Sequence, residues 1–211
     1  TSPEFIFVPD DFTAECSDTL DMESPIASDN CGEVSLTINE WTVSGGGTGN
    51  YQIIREFTAV DDCGNYVVES QTITVVDTTA PVITLTDASF ITLEGGIDTY
   101  EEPGFNAIDN YDGDITSIVD VSGTVDVNTV GTYYISYNVS DACGNQATEV
   151  VRTIDVVDTT PPVITLNDAS NITLEVLDAY IEHGVTATDN IDGDITNNVD
   201  ISGTVDVNTV G

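Results

Sequence analysis

DNYDGDIT at residues 109–116 returns almost unchanged as DNIDGDIT at residues 189–196, and a shorter relative, DNCG, stands at residues 29–32. Each long copy gathers three carboxylates within six residues, and such charges repel one another by up to about 4 kcal/mol per close pair at an effective dielectric constant near 20. A bound cation relieves this repulsion best, and Ca²⁺ prefers the carboxylate, amide and carbonyl oxygens that the stretch offers. The stretch therefore predicts a calcium-binding loop, with a plain Asp-Gly turn between two strands as the alternative.

The acidic stretch belongs to a longer internal repeat. PVITLTDAS at residues 81–89 returns as PVITLNDAS at residues 162–170, and SGTVDVNTVG at residues 122–131 returns unchanged at residues 202–211. This period is too long for a solenoid unit and is typical of a small β-sandwich. We therefore expect a tandem array of sandwich domains.

The first part of the chain is a diverged copy of the same unit, because AVDDCGN at residues 59–65 corresponds to VSDACGN at residues 139–145. The predicted domains are residues 1–77, residues 78–158 and a truncated copy at residues 159–211. Since both ends of the sequence fall within the repeat pattern, we expect the chain to be a segment of a longer protein.

Strands are favoured over helices throughout the chain. Val, Ile, Thr and Tyr occur in short alternating runs, and no long segment has a period of 3.6 residues. One predicted strand has a single apolar face, because its apolar residues alternate with polar residues or an outward tyrosine; these apolar residues are Tyr133, Ile135, Tyr137 and Val139. Within this strand, Tyr133 is either a tyrosine corner or an ordinary core aromatic. In the complete second repeat, strands are predicted near residues 81–86, 90–94, 99–108, 117–122, 124–127, 132–140 and 147–157.

The charge balance excludes several classes of partner. Asp and Glu number 38 against two arginines, Arg55 and Arg152, which gives a formal net charge of −36. Nucleic acids and anionic membranes need clustered basic residues, so neither is expected as a partner, and direct membrane insertion is not expected because no long apolar run occurs. Self-repulsion on this scale is relieved by salt and divalent ions. An extracellular location is therefore favoured.

The motifs PVITL, DNxDGDIT, CGN and VVDTT together resemble the immunoglobulin-like repeats of very large bacterial surface proteins. The first repeat, with EC at residues 15–16, DNCG at residues 29–32 and DDCGN at residues 61–65, is similar to the hyalin-type repeats of secreted Bacteroidota proteins. The resemblance implies an all-β fold of tandem immunoglobulin-like β-sandwich domains in an extended rod. It also implies an extracellular location at the cell surface.

In such a sandwich, two loops lie at the same end as the linker from the preceding domain. We therefore predict a calcium site at each repeat junction, with turn capping and solvation of the repeat ends as the alternative. The first site is predicted to use Asp77, Asp109, Asp112, Asp114, Asp141 and Asn145. The second is predicted to use Asp158, Asp189, Asp192 and Asp194.

The four cysteines allow three complete pairings. Cys31 and Cys63 fall in the two loops that the fold brings together, so a disulfide between them is expected. Cys143 is expected to be a free thiol, because Tyr111 stands where its partner would be. Cys16 is expected near the opposite end of its domain, without a partner. A link from Cys16 to Cys31 or to Cys63 would show that this placement of the loops is wrong.

Single residues add further expectations. Arg55 lies in the inward register with Ile53 and Phe57, which predicts a buried ion pair with a carboxylate. His183 is isolated from any recognisable nucleophile, so no enzyme activity is expected. Three Asp-Thr sites resemble the O-glycosylation signal of Bacteroidota, although so short a motif also occurs by chance; they are Thr19, Thr78 and Thr159.

These features favour a structural stalk segment of a secreted surface adhesin or extracellular fibre, stiffened by calcium at its domain junctions. The expected partners are neighbouring repeats of the same chain, with other copies in a fibre or surface glycans as further candidates. The alternative is a glycan- or protein-binding accessory module of a large secreted enzyme, for which Trp41 is the one distinctive aromatic residue.

Overall fold

The structure is a computed structural model that describes residues 1–30, 32–47 and 49–210. Within this part of the chain, every regular element is a β-strand except for two single turns of 3-10 helix, Thr116–Ile118 and Thr196–Asn198. No helix in it is long enough and apolar enough to cross a membrane. The prediction of an all-β fold is confirmed.

The chain folds as two compact units. The first comprises Thr1–Asp87, Gly104–Val121 and Tyr137–Val150, and the second comprises Ala88–Pro103, Ser122–Ser136 and Val151–Gly211. The predicted repeat at residues 78–158 thus contributes segments to both units. The predicted domain boundaries stay a prediction.

The N-terminal part of the first unit contains two sheets. One pairs β1 (Glu4–Phe7) with β3 (Ile26–Ser28) in antiparallel fashion. The other has four strands, which in spatial order are β2 (Phe12–Glu15), β6 (Tyr66–Val76), β5 (Asn50–Asp61) and β4 (Val34–Gly47). In this sheet β2 runs parallel to β6, and the other neighbours are antiparallel.

Successive side chains along β5 and β6 point to opposite faces of the sheet, and this alternation determines which residues form the core. Phe57 and Ala59 on β5 are fully buried, as are Ile73 and Val75 on β6, while the residues between them are at least partly exposed. Each of these strands therefore carries one apolar face.

Arg55 lies on the same inward face and is 3% exposed. Its Nε donates to Glu40 Oε1 at 2.8 Å, and its Nη1 donates to Gln71 Oε1 and to the main-chain oxygen of Glu23, each at 2.8 Å. The predicted ion pair is confirmed. Its guanidinium also lies 5.2 Å from the centroid of the Phe57 ring.

The rest of the first unit contains a three-stranded sheet of β7 (Val82–Leu85), β9 (Phe105–Asp109) and β10 (Gly113–Asp114), with β9 in the middle. A tight turn joins β9 to β10, and Gly113 takes the left-handed φ of 73° that this turn requires. The acidic stretch therefore forms a hairpin that begins at the end of the central strand of this sheet.

Most of the second unit is built from strands of two further sheets. One has the order β11 (Asp120–Ser122), β12 (Gly131–Asn138), β13 (Val150–Val157) and β8 (Phe90–Glu94), and β8 runs parallel to β13. The other consists of β14 (Val163–Leu166), β15 (Val185–Asp189) and β16 (Gly193–Asp194).

The alternating pattern of β12 is present as predicted. Ile135, Tyr137 and Val139 are buried, whereas Tyr134 is 59% exposed. The Tyr133 hydroxyl donates to the main-chain oxygen of Thr129 at 2.8 Å. This bond to a residue a short distance upstream makes Tyr133 a tyrosine corner.

Three strand predictions in the second repeat were partly or wholly wrong. Residues 99–104 are not a strand, because Pro103 has no amide hydrogen and Gly104 takes a φ of 109°. The segment at residues 117–122 begins within the 3-10 helix at Thr116–Ile118. Residues 124–127 are not a strand, because Asp126 Oδ1 accepts the Asn128 amide and closes a local turn.

Candidate metal centre

Three carboxylates meet at the junction between the first two predicted repeats. Asp77, Asp109 and Asp141 each offer one oxygen atom, and these three atoms lie within 4.8 Å of one another. The residues are 4%, 4% and 7% exposed, respectively. Acidic side chains are rarely buried to this extent unless they are paired or bind a metal ion.

Asp77 directly follows β6 and is held by its main chain. Its amide donates to Asn50 Oδ1 at 3.0 Å, and its carbonyl oxygen accepts the Asn145 Nδ2–H at 3.1 Å. Gly49 packs against it, since a Cβ on Gly49 would lie 3.2 Å from the Asp77 Cβ. The linker therefore enters the cluster in a defined position.

Asp109 is the last residue of β9, and its side chain closes the acidic hairpin. Its Oδ1 accepts the amides of Tyr111 and Asp112, each at 2.8 Å. Its Oδ2 is buried and has no hydrogen-bond partner. One oxygen thus shapes the loop while the other is left for a ligand.

Asp141 and Asn145 form a second loop beside the hairpin. Asp141 accepts the amide of Asn145 and its Nδ2–H, both at 2.7 Å. Asp112 joins the two loops, because its Oδ2 accepts the amide of Ala142 at 2.7 Å. Two segments that are distant in sequence are therefore fixed next to the linker.

Two buried oxygens in the cluster lack partners, Asp77 Oδ2 and Asp109 Oδ2. An unsatisfied buried polar atom costs about 1–3 kcal/mol, and more when the group is charged. Burial raises the pKa of Asp77, and the charges of Asp109 and Asp141 raise it further. The donor set consists of hard oxygen atoms, so it suits Ca²⁺.

Asp114 does not join this cluster. Its Oδ1 accepts the amide of Thr116 at 3.0 Å, at the start of the 3-10 helix, and hydrogen bonds from Thr116 lower its pKa. The structure therefore brings Asp77, Asp109 and Asp141 together, places Asp112 and Asn145 beside them, and gives Asp114 a local role.

Cys16 lies beside the cluster, which sequence reasoning missed. Its Sγ forms a group with carboxylate oxygens of Glu15 and Asp77, and it accepts the Asn110 Nδ2–H at 3.9 Å. Burial, followed by the charges of Asp77, Glu15 and Asp109, raises the pKa of this thiol to about 11. The parallel pairing of β2 with β6, which puts Glu15 opposite Val76, explains the position.

The second junction repeats part of this arrangement. Asp189 Oδ1 accepts the amides of Ile191 and Asp192 at 2.9 and 3.0 Å, and the Asn190 Nδ2–H is donated to the Gly95 oxygen at 2.7 Å. Burial, followed by the charges of Asp189, Glu94 and Asp192, raises the pKa of Asp158.

The second junction is less complete than the first. Asp194 Oδ1 accepts the amide of Thr196, as Asp114 does in the first copy. Within residues 1–30, 32–47 and 49–210, no group of three close ligands forms there.

The predicted disulfide involves Cys31, which lies outside the described residues. Cys16, Cys63 and Cys143 form no disulfide in the structure. The two loops are nevertheless adjacent, because a Cβ on Gly32 would lie 2.9 Å from Asp62 Oδ2. The pairing of Cys31 with Cys63 stays a prediction.

The threonines proposed for glycosylation differ in their surroundings. Thr19 is exposed, whereas the hydroxyls of Thr78 and Thr159 donate to Glu15 and Glu94, respectively. Modification at these sites stays a prediction. His183 is also exposed, and its Nδ1 contacts Asp168.

Several known proteins are similar to this chain. A family model described as "Bacterial surface protein, Ig-like domain" matches residues 83–156 and 164–211. Hyalin of Lytechinus variegatus is 39% identical over 125 residues, which are 54% of this chain and 23% of hyalin. An uncharacterized 81.3 kDa protein of Acholeplasma phage L2 is 31% identical over 153 residues, which are 67% of this chain and 20% of that protein. A solved lipoprotein from Bacteroides thetaiotaomicron is 33% identical with a TM-score of 0.34, covering 38% of this chain and 39% of its own.

The chain spans less than a quarter of the length of the two curated relatives. The similarity to these two relatives is therefore a similarity between repeat units and not between whole proteins.

Proposed function

Because the chain belongs to the bacterial surface protein immunoglobulin-like domain family, as its motifs predicted, we propose that it is a stalk segment of a secreted cell-surface adhesin or extracellular fibre. In this proposal calcium binds at the repeat junctions and fixes each repeat against the next. The partners of each repeat are its neighbours in the same chain. The role is structural rather than catalytic.

One observation carries the calcium part of the proposal. Asp77 and Asp109 are each 4% exposed, and each keeps one carboxylate oxygen without a hydrogen-bond partner. The linker supplies Asp77, the hairpin supplies Asp109, and the loop beside it supplies Asp141. A cation bound by these three residues would link the linker to both loops of the following repeat.

The electrostatics support the same conclusion. Without a cation, three carboxylates within 4.8 Å of one another repel, by up to about 4 kcal/mol per close pair at an effective dielectric constant near 20. A divalent cation replaces this repulsion with attraction to all three groups. Because the cluster forms only in the folded chain, binding also stabilises the fold, by about 2.7 kcal/mol at a hundredfold excess over Kd.

Calorimetric titration of the whole chain with calcium tests the proposal. We expect binding with a Kd of about 10⁻⁴–10⁻³ M, which is usual for extracellular modules, and we expect Asp141→Asn to weaken it about tenfold or more. Asp114→Asn is the matched control, because Asp114 is an acid of the same hairpin that lies outside the cluster. Equal losses in the two variants would contradict the assignment.

The proposed stiffening of the first repeat junction by calcium is tested separately, by limited proteolysis within residues 77–81. Calcium should slow cleavage of this linker in the parent chain and leave the Asp141→Asn variant unprotected. If calcium binds without slowing cleavage, the site is real but it does not rigidify the junction.

A glycan- or protein-binding accessory role has one supporting observation. Trp41 on the edge strand β4 is 45% exposed, and Val43 on the same face is 44% exposed. An exposed indole of this kind stacks well on a sugar ring or an aromatic partner. Loss of binding to a glycan array by Trp41→Ala would favour this second function.

A further inference from the structure

Glu15 holds the linker that follows β6. Its Oε1 accepts the amide of Thr78 at 2.8 Å and the hydroxyl of Thr79 at 3.1 Å. Its Oε2 accepts the hydroxyl of Thr78 at 2.8 Å. One carboxylate therefore binds both threonines of the linker.

The same contact recurs at the next linker. Glu94 accepts the amide and the hydroxyl of Thr159 at 2.8 and 2.7 Å, and it accepts the amide of Thr160 at 2.8 Å. Because this contact occurs twice, in segments whose sequences differ on both sides of the glutamate, it is a property of the repeat.

Strand register explains why a glutamate can reach the linker. Glu15 is the last residue of β2 and lies opposite Val76, and Glu94 is the last residue of β8 and lies opposite Val157. In both cases the parallel neighbour is the strand that leads into the Asp-Thr-Thr linker. The side chain therefore ends beside the first residues after that strand.

Glu15 also belongs to a group of potential metal ligands with Cys16 and Asp77. Its two oxygens are already used by three donors, however, and hydrogen bonds from the amide and the hydroxyl of Thr78 lower its pKa. In contrast, Asp77 Oδ2 has no donor at all. The two carboxylates thus have different tasks.

We propose that Glu15 and Glu94 are positioning residues that clamp the Thr-Thr segment of each linker and thereby fix the direction of the aspartate before it. At the first junction this contact orients Asp77 towards Asp109 and Asp141. The clamp itself needs no metal ion. Its effect on calcium affinity rests on the function proposed above.

The clamp is tested first in EDTA, by amide hydrogen exchange of the whole chain. We expect Glu15→Ala to speed exchange at Thr78 about tenfold or more, since a hydrogen bond to a charged group is lost, and to leave Thr159 unchanged. Glu94→Ala should do the reverse. If exchange at Thr78 is the same in Glu15→Ala and the parent, the clamp does not exist in solution.

The effect on the metal site is tested by a double-mutant cycle. Thr78→Val removes a clamp donor without changing charge or any candidate ligand, and we expect it to raise the calcium Kd about fivefold to tenfold. Combined with Glu15→Gln, it should cost little more than Glu15→Gln alone, because both changes break the same contact. Thr13→Val, at an exposed threonine of β2, is the matched control and should leave the Kd unchanged.

The outcomes separate the two proposals. If Glu15→Gln weakens calcium binding while Thr78→Val does not, Glu15 is a ligand and its positioning role is wrong. If the parent chain binds no calcium, the proposed function fails, and the exchange measurements in EDTA still decide whether the clamp exists.

Discussion

Asn145 donates its side-chain Nδ2–H to the main-chain oxygen of Asp77 at 3.1 Å, although 68 positions separate the two residues. The same nitrogen bonds to Asp141 Oδ2 at 2.7 Å. A single amide therefore ties the linker to the loop that supplies the third carboxylate.

Removing this amide should weaken both the fold and the metal site. We expect Asn145→Ala to lower the free energy of unfolding by about 1–3 kcal/mol, because it leaves buried acceptors unsatisfied, and to reduce calcium affinity. Denaturant unfolding with and without calcium measures both effects.

Asn65→Ala is the control for Asn145→Ala. Asn65 bonds Asp61 in the corresponding loop of the first repeat, but it is exposed. Its replacement should cost less and leave calcium affinity unchanged. Equal effects of the two variants would show that the bond to Asp77 contributes nothing.

Gly49 should be intolerant of a side chain for two separate reasons. It is buried with a φ of 91°, and an added Cβ would lie 3.1 Å from the Tyr111 ring and 3.2 Å from the Asp77 Cβ. We expect Gly49→Ala to destabilise the chain by about 2–4 kcal/mol, and to weaken calcium binding because Asp77 must move.

Gly64→Ala separates backbone strain from crowding. Gly64 has a similar φ of 84°, but nothing lies within 4 Å of an added Cβ. It should cost only the left-handed strain, about 1–2 kcal/mol. If Gly64→Ala proves as costly as Gly49→Ala, the packing against Asp77 and Tyr111 is unimportant.

The clamp at the second linker should make stability depend on pH in acid. Hydrogen bonds from the Thr159 hydroxyl and amide, together with bonds from Thr160, lower the pKa of Glu94 from 4.5 to about 2. Since the folded-state value is below the unfolded one, the stabilisation is complete above pH 4.5 and is lost as the pH falls from about 4.5 to about 2. Unfolding of the parent and Glu94→Gln in EDTA should therefore differ most above pH 4.5. A difference that stays constant down to pH 2 would contradict this assignment.

The cysteines should differ in reactivity. Peptide mapping without reduction should find Cys31 linked to Cys63 and should find Cys143 alkylated. Cys16 should react slowly at neutral pH, because its raised pKa of about 11 leaves little thiolate. A link from Cys16 to Cys63 would contradict the structure, since the Cys16 amide donates to the Val76 oxygen at one end of β6 and Cys63 precedes the other end.

Much of the site could be predicted because sequence repetition and sandwich topology together determine which loops meet. Asp77, Asp109 and Asp141 come from segments far apart in the chain, were predicted to meet at one junction, and lie together in the structure. The structure places Asp114 outside this group, because its side chain bonds its own neighbour, Thr116, and sequence repetition does not reveal such a local contact.

The strands, too, could be predicted from the sequence only where no local side-chain contact interrupts the pattern. The alternation at Tyr133–Val139 predicted a strand correctly, since burial of one face requires a period of two. The predicted strand at residues 124–127 failed because the Asp126 side chain closes a turn there. Glu15 and Glu94 were missed as a pair because their role depends on parallel register with a distant strand, and the paired Thr-Thr linkers were the signal that could have found them.

The most direct test of the central claim is the melting temperature of the parent chain and of Asp77→Asn, each in EDTA and in millimolar calcium. Burial and the charges of Asp109 and Asp141 disfavour the ionised form of Asp77, so the asparagine variant should melt above the parent in EDTA. In calcium the order should reverse, because only the parent keeps the full set of ligands. If calcium leaves the parent unchanged, or raises both proteins equally, the three carboxylates do not form a calcium site.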